Sequence, residues 1–166
     1  MNSNIFVYWH LLFILSTPGL LDRIRKETEP YAQVTSPESI NGYKTAPSLK
    51  LMHLELTKNC PLFKSTYFET LRIVDQDWSV RQTSQDVVIS EDKQTEGFRM
   101  KKGDYITIPH NLHMMDPAYF PDPEKFDPER FLVEKEDGSL KAEIGTARPY
   151  GGGKFACQIH IHDPMY

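Results

Sequence analysis

The sequence has no excess of positive charge and few cysteines, and each lack excludes a class of protein. Its 166 residues carry a formal net charge of −4, so the composition gives no support for nucleic-acid binding. Its two cysteines, Cys60 and Cys157, are too few for a small secreted domain held together by disulfides. They suggest a reducing compartment, or one structural and one chemical thiol.

No hydrophobic run is long enough to span a bilayer. The longest, residues 5 to 15, falls short of the ~20 apolar residues that a transmembrane helix needs, and it contains His10. It is also a poor signal peptide, because residues 1 to 4 have no positive side chain. Its aromatic-rich composition fits the end of a buried helix, so we expect upstream sequence to be missing. The localisation of this chain stays open.

Apolar residues make up 39% of the chain, enough for the core of one domain, and three helices are predicted. The first covers residues 5 to 15. Residues 16 to 18 (Ser-Thr-Pro) then suggest a hydroxyl N-cap followed by Pro at the first helical position, with a second helix as far as about Lys26. A third helix is predicted from residue 61 to 74. Residues 30 to 50 are rich in Pro, Ser, Thr and Gly and are predicted to form a loop or a short helix.

The middle of the chain changes to short strands and turns. A turn is expected at residues 102 to 104, and strands are predicted at residues 78 to 82, 87 to 89 and 105 to 108. Prolines then exclude a regular helix or a central strand from residue 109 to 131, a stretch predicted to be an ordered, winding loop; they are Pro109, Pro117, Pro121, Pro123 and Pro128. The charged stretch from Glu134 to Lys141 is predicted to be a loop.

Three short motifs carry the candidate chemistry. Glu69 and Arg72 stand three apart on a predicted helix, so they share a face and can pair. A Pro-Glu-Arg-Phe run at residues 128 to 131 lies in the proline-rich segment, where Arg130 can point at a carboxylate. Residues 149 to 157 form a Gly-rich stretch ending in Cys, which suits a thiolate metal ligand. Taken alone, each motif has a plainer interpretation: a solvated ion pair, a surface loop, and a glycine loop near a buried thiol.

Together and in this order, the three motifs resemble those of the cytochromes P450. The Glu-x-x-Arg motif of that family's K helix matches residues 69 to 72, and its Pro-Glu-Arg-Phe meander motif matches residues 128 to 131. The haem-binding loop, Phe-x-x-Gly-x-basic-x-Cys-x-Gly, is matched by Tyr150, Gly153 and Cys157, with Tyr in the place of Phe. In texture the sequence is similar to fungal members.

The resemblance implies a cytochrome P450 fold, mostly α with small β-sheets. This chain would be an incomplete C-terminal portion of it, α+β as a fragment. Residues 1 to 158 would form that portion, and residues 159 to 166 a tail that does not match the family. By resemblance, Cys157 is the axial thiolate ligand of the iron of haem b. The haem-binding loop would further include Tyr150, Gly151 and Gly153.

The resemblance also implies roles for other residues and for partners. Glu69, Arg72 and Arg130 would form a structural triad, to which no chemical step is assigned. The implied activity is that of a monooxygenase, which inserts one oxygen atom from O2 into a small apolar organic substrate with electrons from a reductase. No nucleic-acid partner is implied. A folded chain is expected to be a monomer, and an intact relative is expected on the endoplasmic reticulum membrane.

Departures from the family pattern support an alternative. Phe155 stands where the family often has a basic residue that contacts a haem propionate, and Ile159 stands where it has Gly. The helix that follows the loop, and the oxygen-activating part of the I helix, are expected to be missing from this chain. The chain is therefore also interpreted as a non-catalytic remnant that cannot hold haem stably. With an apolar face on its first helices left uncovered, it is predicted to be poorly soluble.

A third hypothesis is a small metal-binding module made by Cys157, His160 and His162, because zinc sites use Cys and His. Only one cysteine lies nearby, which disfavours it. Cys60 precedes a helix-opening proline and is expected to be buried and inert. The remaining histidines are expected to lie in the core or on the surface; they are His10, His53, His110 and His113.

Overall fold

Helices and small sheets alternate along the chain in the computed structural model, which describes residues 3–35, 39–40, 43–44, 48–51, 53–75, 78–90 and 96–151. The sheets of this described part are two-stranded and antiparallel. The predicted fold class, helices with small β-sheets, is confirmed. Gly153, Cys157 and the predicted tail from residue 159 lie outside the described residues.

The helices of the described part converge on one central helix, α4. They are α1 (Ser3–Ser16), α2 (Leu20–Thr28), α3 (His53–Asn59), α4 (Pro61–Val74) and α5 (His110–Met114). The helix α4 has the bounds predicted from its opening proline, and α1 extends slightly beyond its predicted run. Against α4, α1 and α2 bury a cluster formed by Ile14, Leu20, Ile24 and Leu62.

The predicted N-cap between α1 and α2 is wrong. The hydroxyl of Thr17 donates backward to the carbonyl oxygen of Phe13 at 2.7 Å, so it closes α1 instead of opening α2. The helix α2 begins at Leu20, after Pro18, and its N-cap is Gly19 with a φ of 71°. A positive φ carries no steric cost at glycine, which lets the chain turn sharply between the two helices.

The prediction for residues 30 to 50 is also wrong. A 3-10 turn at Glu29–Tyr31 leads into extended segments instead of a loop or short helix. These are β1 (Ala32–Thr35), β2 (Ser39–Ile40), β3 (Tyr43–Lys44) and β4 (Ser48–Leu51), with β1 paired to β4 and β2 to β3. The pairing of β1 with β4 joins segments far apart in sequence, which local composition does not signal.

The predicted strands of the middle region are confirmed. They are β5 (Trp78–Gln82), β6 (Val87–Ile89) and β8 (Tyr105–Pro109). A strand that was not predicted, β7 (Phe98–Met100), lies between β6 and β8 in the sequence. The pairing of β5 with β8 encloses the hairpin of β6 with β7. The predicted turn is confirmed too: Asp104 donates its N–H to the carbonyl oxygen of Lys101 at 3.1 Å, and Gly103 has a φ of 95°.

The proline-rich stretch from residue 109 to 131 is irregular as predicted, except for the short helix α5 directly after Pro109. The charged stretch beyond it is not a simple loop, because β9 (Leu132–Glu134) pairs with β10 (Leu140–Ala142) in a hairpin. Its tip turns at Gly138, where φ is 79°. Neither α5 nor the hairpin of β9 with β10 has the apolar periodicity by which longer helices and strands are predicted.

A second buried cluster lies where α4 meets the irregular proline-rich stretch of residues 109 to 131, called the irregular segment from here on. It contains Phe68, Met114, Phe120, Phe131 and Ala147. By contrast, α1 exposes large apolar side chains on the side turned away from α4, as expected for its uncovered face; they are Ile5, Val7, Tyr8, Leu11, Leu12 and Leu15.

Candidate functional site

The candidate site is built on α4, whose N-terminus is capped from another helix. The carboxylate of Glu27 on α2 accepts hydrogen bonds from the backbone N–H groups of Leu62 and Phe63, each at 2.8 Å. The N-cap residue Cys60 makes no side-chain cap of its own. A carboxylate at this end also faces the positive end of the helix dipole. Glu27 therefore fixes where α4 starts relative to α2.

One face of α4 is both polar and buried. Thr66 and Thr70 bond through their hydroxyls to the carbonyl oxygens of Leu62 and Thr66, at 2.8 and 2.9 Å. Ser65 accepts the backbone N–H of Phe131 at 3.2 Å. These bonds satisfy the buried hydroxyls, which would otherwise be costly to remove from water.

Glu69 and Arg72 form a two-pronged ion pair on this face. Arg72 Nε lies 2.8 Å from Glu69 Oε2, and Arg72 Nη2 lies 2.9 Å from Oε1. Both side chains have 0% of their surface exposed. The structure therefore places the pair away from solvent, unlike the plainer interpretation of a solvated pair.

Arg130 reaches the same carboxylate from the irregular segment. Its Nε lies 3.0 and 3.1 Å from the two carboxylate oxygens of Glu69. The backbone N–H of Asp127 adds a further bond to Oε1 at 3.1 Å. The three residues predicted as a triad are thus in direct contact, with Glu69 between the two guanidinium groups.

The two arginines use their other N–H groups on backbone carbonyls of the irregular segment. Arg72 donates to Met114 and Pro123, each at 2.7 Å. Arg130 donates to Pro121 at 2.6 Å and to Lys125 at 3.1 Å. A segment without regular structure has no complete backbone ladder to satisfy its carbonyls, and buried ones need other partners. The guanidinium groups satisfy these four carbonyls and hold the segment against α4.

After the irregular segment and the hairpin of β9 with β10, the chain reaches the start of the predicted haem loop. Ala147 is buried in the second cluster, and the hydroxyl of Tyr150 lies 2.7 Å from that of Tyr67 on α4. Gly151, with a φ of 72°, donates its N–H to the carbonyl oxygen of Arg148 at 3.1 Å and so closes a turn. Tyr67 was not predicted, although it lies two residues before Glu69.

His10 is a second contact that the motifs did not reveal. Its Nδ1 lies 2.8 Å from the hydroxyl of Thr70, joining α1 to α4 across 60 positions of sequence. Its ring packs against Phe63 and Tyr67, with centroid distances of 5.7 and 6.2 Å. Burial lowers the pKa of His10 to about 4, so the ring is neutral at pH 7.

Cys60 is buried, as predicted. Burial, and next to it the negative charge of Glu27, raise the pKa of Cys60 to about 11. A thiol with so high a pKa is protonated at neutral pH and is a poor nucleophile or ligand. The prediction that it is inert agrees with this setting.

A metal ion held by protein side chains alone needs three or four donor groups close together. No three His, Cys, Asp or Glu side chains gather into a metal-binding group within the described part of the chain. Cys157, His160 and His162 of the zinc hypothesis lie outside it. Cys157, the thiolate ligand that the resemblance implies, comes six residues after Gly151 in the sequence. A single thiolate suits an iron whose other ligands come from a porphyrin.

Comparison with known proteins identifies the family. The chain matches the family model for cytochrome P450 over residues 4–157, so it belongs to the cytochrome P450 family, whose members are haem-thiolate monooxygenases. It is 31% identical over 157 residues to cytochrome P450 monooxygenase poxD of Penicillium oxalicum, which agrees with the fungal texture. It is 26% identical over 154 residues to mouse cytochrome P450 7B1 and 32% identical over 134 residues to human cytochrome P450 4V2.

These relatives are much longer than the region they share with the chain. The aligned regions cover 95%, 92% and 80% of this chain, but 30%, 27% and 22% of the three relatives in the same order. Within the described residues, no single helix is long and apolar enough to cross a membrane. Residues 4–16 and 20–31 pass that criterion only as a pair bent by 111°, on length and composition alone.

Proposed function

We propose that the protein acts as a haem-thiolate monooxygenase, with Cys157 as the axial ligand of haem b. Tyr150, Gly151 and Gly153 would belong to the loop that carries this ligand. The observation that carries the proposal is the buried contact of Glu69 with Arg72 and Arg130, which holds the segment leading to this loop. Family membership supplies the cofactor and the reaction type.

The described residues would support the chemistry without taking part in it. When bound, a thiolate-ligated haem supplies the oxidising power, because the thiolate pushes electron density toward the iron and favours O–O cleavage. Glu69, Arg72 and Arg130 would form the structural triad that keeps the segment from Met114 to Arg130 in place. The substrate would be a small apolar organic molecule, with O2 and an electron-donating reductase as further partners. A folded chain would be a monomer, and the intact relative would lie on the endoplasmic reticulum membrane.

The alternative is a non-catalytic remnant that cannot hold haem stably. The apolar side chains that α1 exposes favour it, because a helix that is apolar on all sides is normally buried. Phe155 and Ile159, which depart from the haem-loop motif, favour it as well. Stable one-to-one haem loading distinguishes the two functions.

The test is a carbon-monoxide difference spectrum of the chain expressed with haem supplied. A red-shifted Soret band, typical of thiolate-ligated haem, supports the enzyme, and Cys157→Ser should abolish that band. Absence of the band in the unmodified chain supports the remnant.

Arg72→Ala tests the role of the network in the same assay. Removal of one partner of a buried ion pair costs about 3–5 kcal/mol, so we expect this variant to fail in haem incorporation and not merely to turn over slowly. The matched control is Arg25→Ala, because Arg25 pairs with Asp22 at 3.9 Å on the exposed surface of α2. Normal haem loading in Arg72→Ala would contradict the assigned role.

A further inference from the structure

A contact between two tyrosine hydroxyls joins α4 to residues 146 to 151, which we call the haem-loop segment. The family motif does not require this contact. The motif has Phe at the position of Tyr150, and a phenyl ring has no hydroxyl to bond. Here the hydroxyls of Tyr67 and Tyr150 lie 2.7 Å apart, and either can be the donor. Tyrosine hydroxyls that leave bulk water normally find such a partner. The bond joins positions 83 residues apart, so it is a tertiary contact.

Tyr67 is a firm anchor because aromatic rings surround it. Its ring meets that of Phe6 on α1 edge-on, with centroids 5.0 Å apart, and lies 6.0 Å from that of Phe68 on α4. His10, on the same side of α1 as Phe6, adds a contact at 6.2 Å. The position of the Tyr67 hydroxyl is therefore set jointly by α1 and α4.

Tyr150 lies in a segment that is also attached at other points. The carbonyl oxygen of Thr146 lies 2.9 Å from Nε2 of His113 on α5, and Ala147 is buried beside Phe68. Tyr150 is the last of these attachments before the turn at Gly151. A contact that holds Tyr150 in place therefore also fixes the point from which the chain continues toward Cys157.

We propose that Tyr67 and Tyr150 are positioning residues, whose paired hydroxyls tie the segment leading to Cys157 to α4 and thereby favour retention of haem with its thiolate ligand. The effect on haem retention rests on the proposed function, whereas the hydrogen bond that holds the segment to α4 does not. A neutral hydrogen bond contributes about 0.5–1.5 kcal/mol net, which corresponds to about a two- to tenfold change in an opening equilibrium.

The first measurement needs no haem. Hydrogen–deuterium exchange is followed by mass spectrometry in peptides covering residues 146 to 151, for Tyr67→Phe, Tyr150→Phe and the double variant. Each single variant should exchange about two- to tenfold faster, and the double variant no faster than either, because both remove the same bond. The control is Tyr105→Phe, which removes an exposed hydroxyl on β8. Unchanged exchange in both single variants, or additive increases in the double, would overturn the proposal.

The second measurement adds haem to the same variants. Haem loss to apomyoglobin should speed up by a similar factor, and the share of the ferrous carbon-monoxide complex with the red-shifted thiolate band should fall. A haem-loaded chain in which neither quantity changes refutes the positioning role even if exchange has risen. If no variant binds haem, the unmodified chain included, the proposed function fails, while the coupled exchange result still supports the tie.

Discussion

Acidification from pH 7 to pH 5 should loosen the packing of α1 on α4, because His10 is buried there as a neutral ring. Thr70 donates its hydroxyl proton to the carbonyl oxygen of Thr66 at 2.9 Å, so its oxygen accepts from His10 Nδ1 at 2.8 Å. The proton of the neutral ring is therefore on Nδ1. Nε2 has a lone pair that is buried with no hydrogen-bond partner among the described residues. A proton added at Nε2 would place a charge among aromatic rings.

The size of the effect follows from the two pKa values. The folded value is about 4 and the ordinary value is 6.5, so between these limits the unfolded chain binds more protons than the folded one. Stability from this group is thus complete above about pH 6.5 and is lost as the pH falls toward 4. The loss is about 2 kcal/mol at pH 5 and about 3 kcal/mol below pH 4.

Urea denaturation at pH 7 and pH 5, followed by tryptophan fluorescence, measures this loss. His10→Phe keeps an aromatic ring in the pocket but cannot titrate, so its stability should depend less on pH, by about 2 kcal/mol over this interval. Tyr8→Phe, on the exposed side of α1, is the control and should behave like the unmodified chain. If His10→Phe loses as much stability on acidification as the unmodified chain, His10 is not the group responsible.

Two further predictions concern the helix cap and the exposed face of α1. Glu27→Gln removes the carboxylate that caps α4 and should lower the free energy of unfolding by about 1 kcal/mol, measured by urea denaturation. The neighbouring exposed change Glu29→Gln should have little effect, and equal effects would argue against the cap. Leu11→Lys with Leu15→Lys should raise the soluble yield of the chain, because both side chains are exposed apolar groups one turn apart; an unchanged yield would mean that this face does not limit solubility.

Some elements of the fold could be predicted from local sequence patterns. The bounds of α4 follow from Pro61 and the apolar spacing behind it, and the strands at 78 and 105 follow from their alternation. Glu69 and Arg72 could be paired from their spacing on a helix. Arg130 was expected to point at a carboxylate, but its grouping with Glu69 and Arg72 came only from the resemblance. The start of α2 was predicted wrongly because the hydroxyl of Thr17 bonds backward to the carbonyl oxygen of Phe13. The sequence alone does not decide whether such a hydroxyl bonds to a preceding carbonyl or to a following N–H group.

The rest of the site depends on contacts between distant parts of the chain. Glu27 caps a helix that begins 34 positions later, and His10 meets a hydroxyl 60 positions away. Neither residue belongs to a motif, and each has an ordinary surface or core interpretation when considered alone. Burial and partners, which give Glu27 and His10 their roles, appear only once the helices are packed.

The contacts of Arg130 lead to a last prediction about why the network uses arginine. A guanidinium group is a planar fork, so Arg130 reaches Glu69 with Nε and the carbonyls of Pro121 and Lys125 with its two Nη atoms. Lysine keeps the positive charge but presents its donors from a single nitrogen and cannot span these acceptors. Arg130→Lys should therefore cost about 2 kcal/mol in urea denaturation, because carbonyls in the irregular segment lose their donors.

The surface pair of Arg23 with Glu129 provides the control for this argument. Its side chains are 52% and 51% exposed, so water can replace whatever the guanidinium donates. Arg23→Lys should change stability by less than about 1 kcal/mol. If Arg130→Lys were equally mild, charge alone would hold the segment to α4 and the fork geometry would be incidental. A clear difference between the two variants would mean that the backbone carbonyls, more than the ion pair, make Arg130 necessary.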